Sequence, residues 1–234
     1  MNNPIGIFDS GIGGLNILNE IEKILPNEDI IYYADSKNNP YGSKSDEELL
    51  NITSNIVDFL INNKCKIIVI ACNTATTRCI NDLRVKYPFI KFIGTEPAIK
   101  MACDNNHNNI LVLGTHATIN SKSIQKLIKN NKNDKQNIYL QDAEGLANAI
   151  EVNNINLINE LLNKFLTPYQ NKNIDCVVLG CTHYSNIGNK IKTYFPNSSI
   201  YDSSLGVAKE LKRQLTNLNL LNKGKEKGKI LIKK

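Results

Sequence analysis

The sequence predicts an α/β protein built on parallel sheets. Eight short runs rich in Ile and Val are mostly apolar throughout, as strands covered on both faces of a parallel sheet are. Helix-like segments separate these runs, and such an alternation is typical of α/β architecture. The predicted strands cover residues 5–8, 30–34, 66–72, 91–94, 109–114, 137–140, 176–181 and 199–202.

The clearest helix pattern is the segment SDEELLNITSNIVDFLINN, residues 45–63. It begins with Ser45 and has Glu48 three residues later, which is a capping-box pattern. Apolar residues then recur every three or four positions, at 49, 52, 56 and 60, as one face of a helix requires. The segment therefore predicts an amphipathic helix that starts just after Ser45.

The two halves of the chain correspond to each other. IGIFDSGIGG and ILVLGTHATI are each a strand that runs into a polar loop, and KIIVIACNTAT and DCVVLGCTHYS form a later pair. The offsets between partners are close, about 105 and 109 residues. We therefore predict two similar α/β domains, residues 1–95 plus 206–234 and residues 96–205.

Composition excludes several classes of function. At 234 residues and 41% hydrophobic the chain can bury a core, but no apolar run reaches the roughly 18 residues of a membrane span. No signal peptide is recognisable, so we expect a cytoplasmic protein. The last twelve residues, KGKEKGKILIKK, carry +5 of the net charge of +6, so the remainder is about +1 and predicts no nucleic-acid surface. We interpret this tail as a solvated end.

Six cysteines are distributed along the chain without the C-x₂₋₄-C spacing typical of zinc sites. In a reducing compartment a disulfide framework is not expected. No metal site is therefore predicted. We interpret four of the cysteines as small buried apolar residues, namely Cys65, Cys79, Cys103 and Cys176.

The other two cysteines, Cys72 and Cys181, are candidates for a catalytic role. Ligands of open parallel sheets bind beyond the carboxyl ends of the strands, which is where Asp9, Cys72, Thr115 and Cys181 are predicted to lie. If the domains face each other, the repeated turn places one thiol on each side of a single ligand. Inversion of a stereocentre by proton transfer needs a base on one face and an acid on the other. A helix N-terminus, expected after each cysteine, can lower a thiol pKa from about 8.5 and favours an anionic substrate.

The neighbouring polar residues leave alternatives open. Asp9 is either a functional carboxylate or a turn residue that caps a helix. His183 either relays a proton to Cys181 or is a partly exposed loop histidine. The DSGIGG turn lacks both the G-x-G-x-x-G pattern and the P-loop lysine, so we interpret it as an anion-cradling turn. NPYGSKS, residues 39–45, is by default a Pro-Tyr-Gly turn.

Six motifs occur together in the order found in one family. GIFDSGIGGL, YYADSKNNPYGSKS, ACNTAT, GTEP, GCTHY and DSS resemble those of glutamate racemases, within the aspartate/glutamate racemase family, from about residue 5 to about residue 215. The resemblance implies an enzyme that needs no cofactor or metal and supplies D-glutamate for peptidoglycan. It also implies two pseudosymmetric α/β domains with the active site in the cleft between them.

The resemblance also assigns roles. It implies that Cys72 and Cys181 are the catalytic acid/bases, with Cys72 acting on D-glutamate and Cys181 on L-glutamate, and that Asp9 and His183 assist them. A further family glutamate matches Glu151 best. Glu144 remains a competitor, because the segment LQDAEGLANAIEVNN lacks the proline that usually marks this region. The implied substrate contacts are Asp9, Ser10, Tyr41, Gly42, Asn73, Thr74, Thr182 and His183, to which the strand-end position adds Thr115.

Three functions stay open at this point. Glutamate racemisation is favoured, and glutamate is the expected partner, with a homodimer as a further expectation. A racemase of the same superfamily for aspartate or another small acid is opposed by ACNTAT and by the histidine of CTHY, where related aspartate racemases tend to carry a glutamate. A ligand-binding relative without turnover is opposed by the presence of both cysteines. Ser185-Asn186 replaces the Pro-Leu of many members, which predicts altered packing behind this loop.

Overall fold

Two parallel sheets and the helices packed on them make up residues 3–233, the part of the chain that the computed structural model describes. The strands are β1 (Ile5–Asp9), β2 (Ile30–Ala34), β3 (Ile67–Ile70), β4 (Phe92–Gly94), β5 (Asn109–Gly114), β6 (Asn137–Asp142), β7 (Cys176–Gly180), β8 (Ser199–Tyr201) and β9 (Ile230–Lys233). The helices are α1 (Leu15–Ile24), α2 (Asp46–Asn62), α3 (Asn73–Lys86), α4 (Ile99–Asp104), α5 (His116–Ile119), α6 (Lys122–Asn131), α7 (Leu146–Glu151), α8 (Ile155–Leu166), α9 (Gly188–Tyr194) and α10 (Ser204–Asn217). Short 3₁₀ helices cover Ser36–Asn38, Tyr41–Ser43, Thr167–Lys172 and Thr182–Ile187. The predicted α/β class is confirmed.

The described residues form two compact units, each with its own sheet. Unit 1 comprises residues 3–95 and 204–233, and its strand order is β4-β3-β1-β2-β9. Unit 2 is Glu96–Ser203, with the order β6-β5-β7-β8. Numbered within each unit, the first four strands have the same order, 2-1-3-4. The correspondence between the halves of the sequence is thus a shared topology, to which unit 1 adds β9.

Strands β1 to β4 of unit 1 are largely buried on both faces, as their continuous apolar runs predict. Ile5 and Ile7 point to the face covered by α1 and α10, and Phe8 points to the face covered by α2 and α3. This alternation follows from the two-residue period of a strand. The sheet of unit 2 likewise separates two apolar clusters, one with α7 and α8 and the other with α4 and α6.

The predicted start of α2 is confirmed at its N-cap. Ser45 Oγ accepts a hydrogen bond from the Glu48 backbone N–H at 3.1 Å. The Glu48 side chain forms an ion pair with Lys44 at 3.1 Å. Since Lys44 belongs to the preceding loop, this pair helps to fix the loop at the point where it enters the helix.

The lysine-rich tail was interpreted as a solvated end, and this interpretation is wrong for its last described residues. Ile230–Lys233 form β9, which pairs in parallel with β2 so that Ile30 lies opposite Ile230. Leu231 and Ile232 nevertheless remain about half exposed. The composition therefore reflects side-chain exposure correctly but does not show that the backbone completes a sheet.

All six cysteines are free and buried, and in three the pKa is raised strongly. Burial raises the pKa of Cys65 and Cys176 to about 12 and that of Cys79 to about 11, whereas an unperturbed thiol ionises near 8.5. The folded chain therefore binds more protons than the unfolded chain above about pH 9. This matches the interpretation of these residues as apolar core, as does the burial of Cys103.

We expect the stability of the fold to decrease at alkaline pH. The contribution of a buried neutral thiol is fully present below the unfolded pKa and is lost as pH rises towards the folded pKa. The thermal midpoint should thus fall progressively between about pH 9 and pH 11. Circular dichroism melts measure this fall, and Cys65→Ala should show a shallower one. An identical slope in the variant would contradict the assignment to this thiol.

Within residues 3–233, every helix is too short or too polar to span a bilayer.

Candidate active site

Each unit places a thiol at the switch point of its sheet. In a 2-1-3-4 order the chain leaves the first and third strands in opposite directions, which opens a crevice at their carboxyl ends. In unit 1 these strands are β1 and β3, with Phe8 opposite Ile70, so Asp9 and Cys72 follow on neighbouring strands. In unit 2, Gly114 lies opposite Gly180, and the next residues are Thr115 and Cys181.

Cys72 is held at the start of α3, as the sequence predicts. It is the N-cap residue, and its Sγ accepts a hydrogen bond from the Ala75 backbone N–H at 3.5 Å. Its thiol also lies 3.8 Å from Ser10 Oγ, to which it donates. A helix N-terminus with a backbone donor aimed at sulfur favours the thiolate. Cys72 and Ser10 thus form one polar pair.

Asp9 has a clear structural role in the turn that follows β1. It is fully buried, and its Oδ2 accepts from the backbone N–H groups of Gly11 at 3.2 Å and Gly14 at 3.0 Å. A Cβ on Gly14 would lie 2.8 Å from Asp9 Cβ and 2.7 Å from Tyr32 Oη, so only glycine fits there. The anion that this glycine turn cradles is therefore the carboxylate of Asp9 itself.

Tyr41 is buried and is anchored by Asp35. Its hydroxyl donates to Asp35 Oδ2 at 2.8 Å, and Asn38 Nδ2 donates to both oxygens of the same carboxylate. Burial, followed by the charge of Asp35, raises the pKa of Tyr41 far above its usual range, with smaller contributions from Cys72 and Asp9. The phenol therefore remains a donor at neutral pH. Gly42, by contrast, is exposed and has open space around it.

The first residues of α3 carry further polar groups. Asn73 Nδ2 donates to the Thr95 carbonyl at 3.1 Å, which fixes the orientation of the amide. Its Oδ1 is buried and accepts no hydrogen bond from any residue that the structure describes. Thr74 is buried beside it. An unsatisfied buried acceptor costs about 1–3 kcal/mol, so a donor that reached Asn73 Oδ1 would bind favourably.

In unit 2 the structure brings Cys181, His183 and Glu151 together. His183 Nδ1 lies 3.9 Å from Cys181 Sγ, and His183 Nε2 lies 2.7 Å from Glu151 Oε2. His183 is only 1% exposed, so the alternative of a partly exposed loop histidine is wrong. Glu151 ends α7 and points to this histidine, whereas Glu144 precedes α7 and is exposed.

The helix after Cys181 differs in type from the one after Cys72. A helix follows Cys181, but it is the 3₁₀ helix Thr182–Ile187, in which the Tyr184 N–H bonds to the Cys181 carbonyl at 3.1 Å. Among the described residues, no backbone N–H caps the Cys181 side chain. The two thiols are therefore supported differently, Cys72 by a helix N-terminus and Cys181 by a histidine.

Two side chains behind Cys181 hold this 3₁₀ helix in place. Tyr184 is fully buried and its hydroxyl donates to the Ala143 carbonyl at 3.2 Å. Burial raises the pKa of Tyr184 well above its usual value, and the neighbouring Cys181 adds to the rise. Ser185 Oγ donates to Asp202 Oδ2 at 2.9 Å, and the altered packing expected from Ser185-Asn186 stays a prediction.

The remaining predicted residues lie on the same loops. Thr182 is buried directly after Cys181. Thr115 is the N-cap of α5, and its Oγ1 lies 3.0 Å from Thr118 Oγ1. Sequence reasoning missed two residues that hold the loop with Tyr41, namely Asp35 and Arg78. Asp35 follows a strand directly, which was an available signal.

A match to a known family agrees with this arrangement. Residues 6–209 match the family model described as Asp/Glu/Hydantoin racemase. Two parallel-sheet units that each carry a strand-end thiol, together with this match, define an α/β isomerase of the racemase class.

The individual relatives with high similarity to this chain are glutamate racemases. A glutamate racemase of Clostridium botulinum is 43% identical over 234 residues, covering 98% of this chain and 90% of that protein. The structure of glutamate racemase from Francisella tularensis in complex with D-glutamate has a TM-score of 0.83 and 33% identity, covering 99% of this chain and 87% of that one. The Escherichia coli glutamate racemase in complex with L-glutamate and the activator UDP-MurNAc-ala has a TM-score of 0.81 and 27% identity, covering 92% and 83%. This chain belongs to the Asp/Glu/hydantoin racemase family.

Proposed function

We propose that this protein is a glutamate racemase that interconverts L- and D-glutamate by proton transfer at Cα and so supplies D-glutamate for peptidoglycan. The observation that carries the proposal is the repeat of a strand-end thiol at the switch point of two units with the same topology. Relatives of similar length bear the glutamate racemase name. Solved relatives hold D-glutamate and L-glutamate.

The proposed mechanism uses one thiol from each unit as base and the other as acid. Cys72 removes the Cα proton of D-glutamate while Cys181 delivers a proton to the opposite face, and the roles reverse for L-glutamate. Inversion requires this opposition because a single monoprotic base would return the proton to the face it came from. The step needs no redox change, since one S–H bond forms as the other breaks.

The proposed activation of Cys181 depends on His183, which contacts its thiol, and on Glu151, which contacts that histidine. If the Glu151 carboxylate holds a proton on His183 Nε2, then Nδ1 presents a lone pair towards Cys181 Sγ. The imidazole then accepts the thiol proton, and the carboxylate stabilises the resulting cation. Cys72 instead relies on the Ala75 N–H and the N-terminus of α3.

The proposed substrate contacts are polar groups at the strand ends of each unit. Ser10, Tyr41, Gly42, Asn73 and Thr74 contribute from unit 1, and Thr115, Thr182 and His183 contribute from unit 2. Asn73 Oδ1 is the acceptor proposed for the α-ammonium group, since it is otherwise unsatisfied. Asp9 orders the loop that carries Ser10 and assists Cys72.

Replacement of Glu151 should impair catalysis, whereas replacement of Glu144 should not. Glu151→Gln removes the charge that stabilises protonated His183, so we expect kcat to fall about 10²-fold, the lower range for general acid–base assistance. Glu144→Gln is the matched control, because this side chain is exposed and precedes α7, and its kcat should stay close to that of the wild type. Steady-state racemisation by circular dichroism measures both. Equal effects of the two substitutions on kcat would show that Glu151 has no specific role in catalysis.

A chirality assay tests the proposed activity. Purified protein, dialysed against EDTA and free of pyridoxal phosphate, should racemise L- and D-glutamate and act far more slowly on aspartate. Faster turnover of aspartate would establish the alternative substrate, and binding without turnover would establish a non-catalytic relative. Activity that required an added metal would contradict the cofactor-independent mechanism.

Turnover in deuterated water tests the two-thiol step. Deuterium should enter Cα of the product enantiomer early and the recovered substrate much more slowly, since each face exchanges through its own monoprotic thiol. Rapid equal labelling of both enantiomers would instead indicate one polyprotic base or a freely exchanging carbanion.

We place the protein in the cytoplasm, in line with six free thiols. The predicted homodimer is tested by sedimentation velocity on the purified chain.

A further inference from the structure

The loop between β2 and α2, residues 35–45, is attached on its inner side to the turn after β1. The Asp35 N–H donates to the Asp9 carbonyl at 2.9 Å, and Asn39 Nδ2 donates to the Ser10 carbonyl at 3.1 Å. The Tyr41 hydroxyl adds its bond to Asp35. These contacts fix the beginning of the loop. They do not include the stretch after Tyr41, which is held by contacts on its outer side.

Arg78, on α3, holds that later stretch. Its Nη1 donates to the Tyr41 carbonyl at 3.3 Å and its Nη2 donates to the Lys44 carbonyl at 2.8 Å. Its Nε donates to Asp46 Oδ1 at 2.6 Å, at the first turn of α2. One planar guanidinium therefore bridges both ends of the segment that contains Gly42. Its side chain is only 17% exposed.

The position of Arg78 links this loop to the helix that Cys72 caps. Arg78 lies six residues after Cys72, about 9 Å along the axis of α3 at 1.5 Å per residue. A rigid fork with several donors can satisfy separate acceptors at once, whereas a lysine ammonium on a flexible stem cannot reproduce that geometry. Arg78 thus ties the Tyr41–Lys44 backbone directly to the helix that Cys72 caps.

We propose that Arg78 is a positioning residue that pre-organises Tyr41 and Gly42 for substrate binding, an inference that rests on the proposed function of these two residues. Without Arg78 the segment from Tyr41 to Lys44 loses its attachment to α3 and keeps on its outer side the ion pair of Lys44 with the half-exposed Glu48. The segment must then become ordered when the substrate binds. The entropy lost in this ordering weakens binding, whereas the reacting groups are unchanged. The effect should appear in KM for both enantiomers and leave kcat nearly intact.

The carbonyl bonds, rather than the ion pair, carry this role. Asp46 is 84% exposed, and ion pairs with such a partner contribute little in water. The carbonyls of Tyr41 and Lys44 belong to the loop itself, so their bonds to Arg78 restrain the backbone directly. Asp46→Asn therefore separates the two contributions, since it removes the charge but keeps an oxygen that can accept from Nε.

Kinetics of matched variants test the proposal. Arg78→Ala should raise KM for both D- and L-glutamate about 5- to 30-fold, equivalent to one or two kcal/mol, with kcat within about threefold. Arg78→Lys should give an intermediate KM. Asp46→Asn and Arg84→Ala, the latter on the same helix with one long bond to the Phe92 carbonyl, should match the wild type. A fall in kcat with KM unchanged, or an equal KM rise in Asp46→Asn, would overturn the proposal.

Limited trypsin digestion tests the loop independently of catalysis. Lys44 lies in the stretch that Arg78 restrains, so Arg78→Ala should be cut after Lys44 at least several-fold faster than the wild type, as followed by mass spectrometry of the N-terminal fragments. Lys37, in the part of the loop held by the turn after β1, is the internal control and should be cut at an unchanged rate. Saturating glutamate should slow that cleavage. If the wild type proved inactive on glutamate while Arg78→Ala still showed faster cleavage after Lys44, the proposed function would fail and the loop restraint would stand. Unchanged cleavage after Lys44 in Arg78→Ala would overturn the restraint itself.

Discussion

Cys72→Ser and Cys181→Ser should each lose most racemisation while the fold survives. A serine hydroxyl is far harder to deprotonate at neutral pH than a thiol, so the base function is lost, and a positioned general base is worth about 10²–10⁴ in rate. Both thiols are needed in either direction, one as base and one as acid. At position 72 serine is also a good N-cap, so α3 should be preserved.

The two variants should differ with a substrate that needs only the first proton abstraction. Elimination of a leaving group from a β-substituted glutamate analogue is such a reaction. With the stereochemical roles implied by the family resemblance, Cys181→Ser should still process the D-configured analogue through Cys72. Cys72→Ser should process the L-configured analogue through Cys181. This reciprocal pattern assigns each thiol to one face of the substrate.

A cysteine outside the site supplies the control for this series. Cys79→Ala removes a buried thiol from the same helix as Cys72 and should retain near-native kcat, as coupled circular dichroism assays would show. A single serine variant at position 72 or 181 that kept near-native racemisation in both directions would defeat the scheme. Such a result would show that this cysteine is only a small residue packed at the end of a strand.

The fold was predictable because burial on both faces leaves a strong local signal. All eight predicted strands form, and in the central ones, such as Ile67–Ile70, no side faces solvent, so polar residues do not alternate with apolar ones. The partly buried strands β6 and β8 were still predicted, from short apolar runs. β9 was not predicted because Leu231 and Ile232 are half exposed and their partner strand lies some 200 residues earlier. Its pairing depends on contacts that no short window of sequence contains.

The site was predictable to the extent that topology brings it together. Cys72 and Asp9, like Cys181 and Thr115, were placed by the rule that ligands lie beyond strand ends. The pairing of His183 with Glu151 connects residues 32 positions apart on different elements, and only the family resemblance favoured Glu151 in advance. Arg78 left no signal, since an arginine in a helical segment is indistinguishable in sequence from a solvated one.

A buried ion pair in unit 1, between Lys66 and Glu28, fastens the segment leading to β9. Lys66 Nζ donates to Glu28 Oε2 at 2.5 Å and to the Leu220 carbonyl at 2.7 Å. Glu28 Oε1 accepts from the Asn222 N–H at 2.7 Å. The two side chains are only 6% and 2% exposed. Loss of one partner therefore leaves an uncompensated charge away from water.

Lys66→Met should destabilise the protein by about 3–5 kcal/mol, the usual consequence of removing one member of a buried pair. For a chain of this size that lowers the thermal midpoint by roughly 6–20 °C, measurable by calorimetry, and amide exchange at 230–233 should accelerate first. Lys23→Met breaks an exposed pair with Glu20 and should cost less than about 1 kcal/mol. The double variant Lys66→Met/Glu28→Gln should recover part of the loss, because the amide that replaces the carboxylate is neutral and its oxygen could still accept from the Asn222 N–H. A double variant no more stable than Lys66→Met would show that the cost comes from lost packing or from the Leu220 carbonyl rather than from the stranded carboxylate.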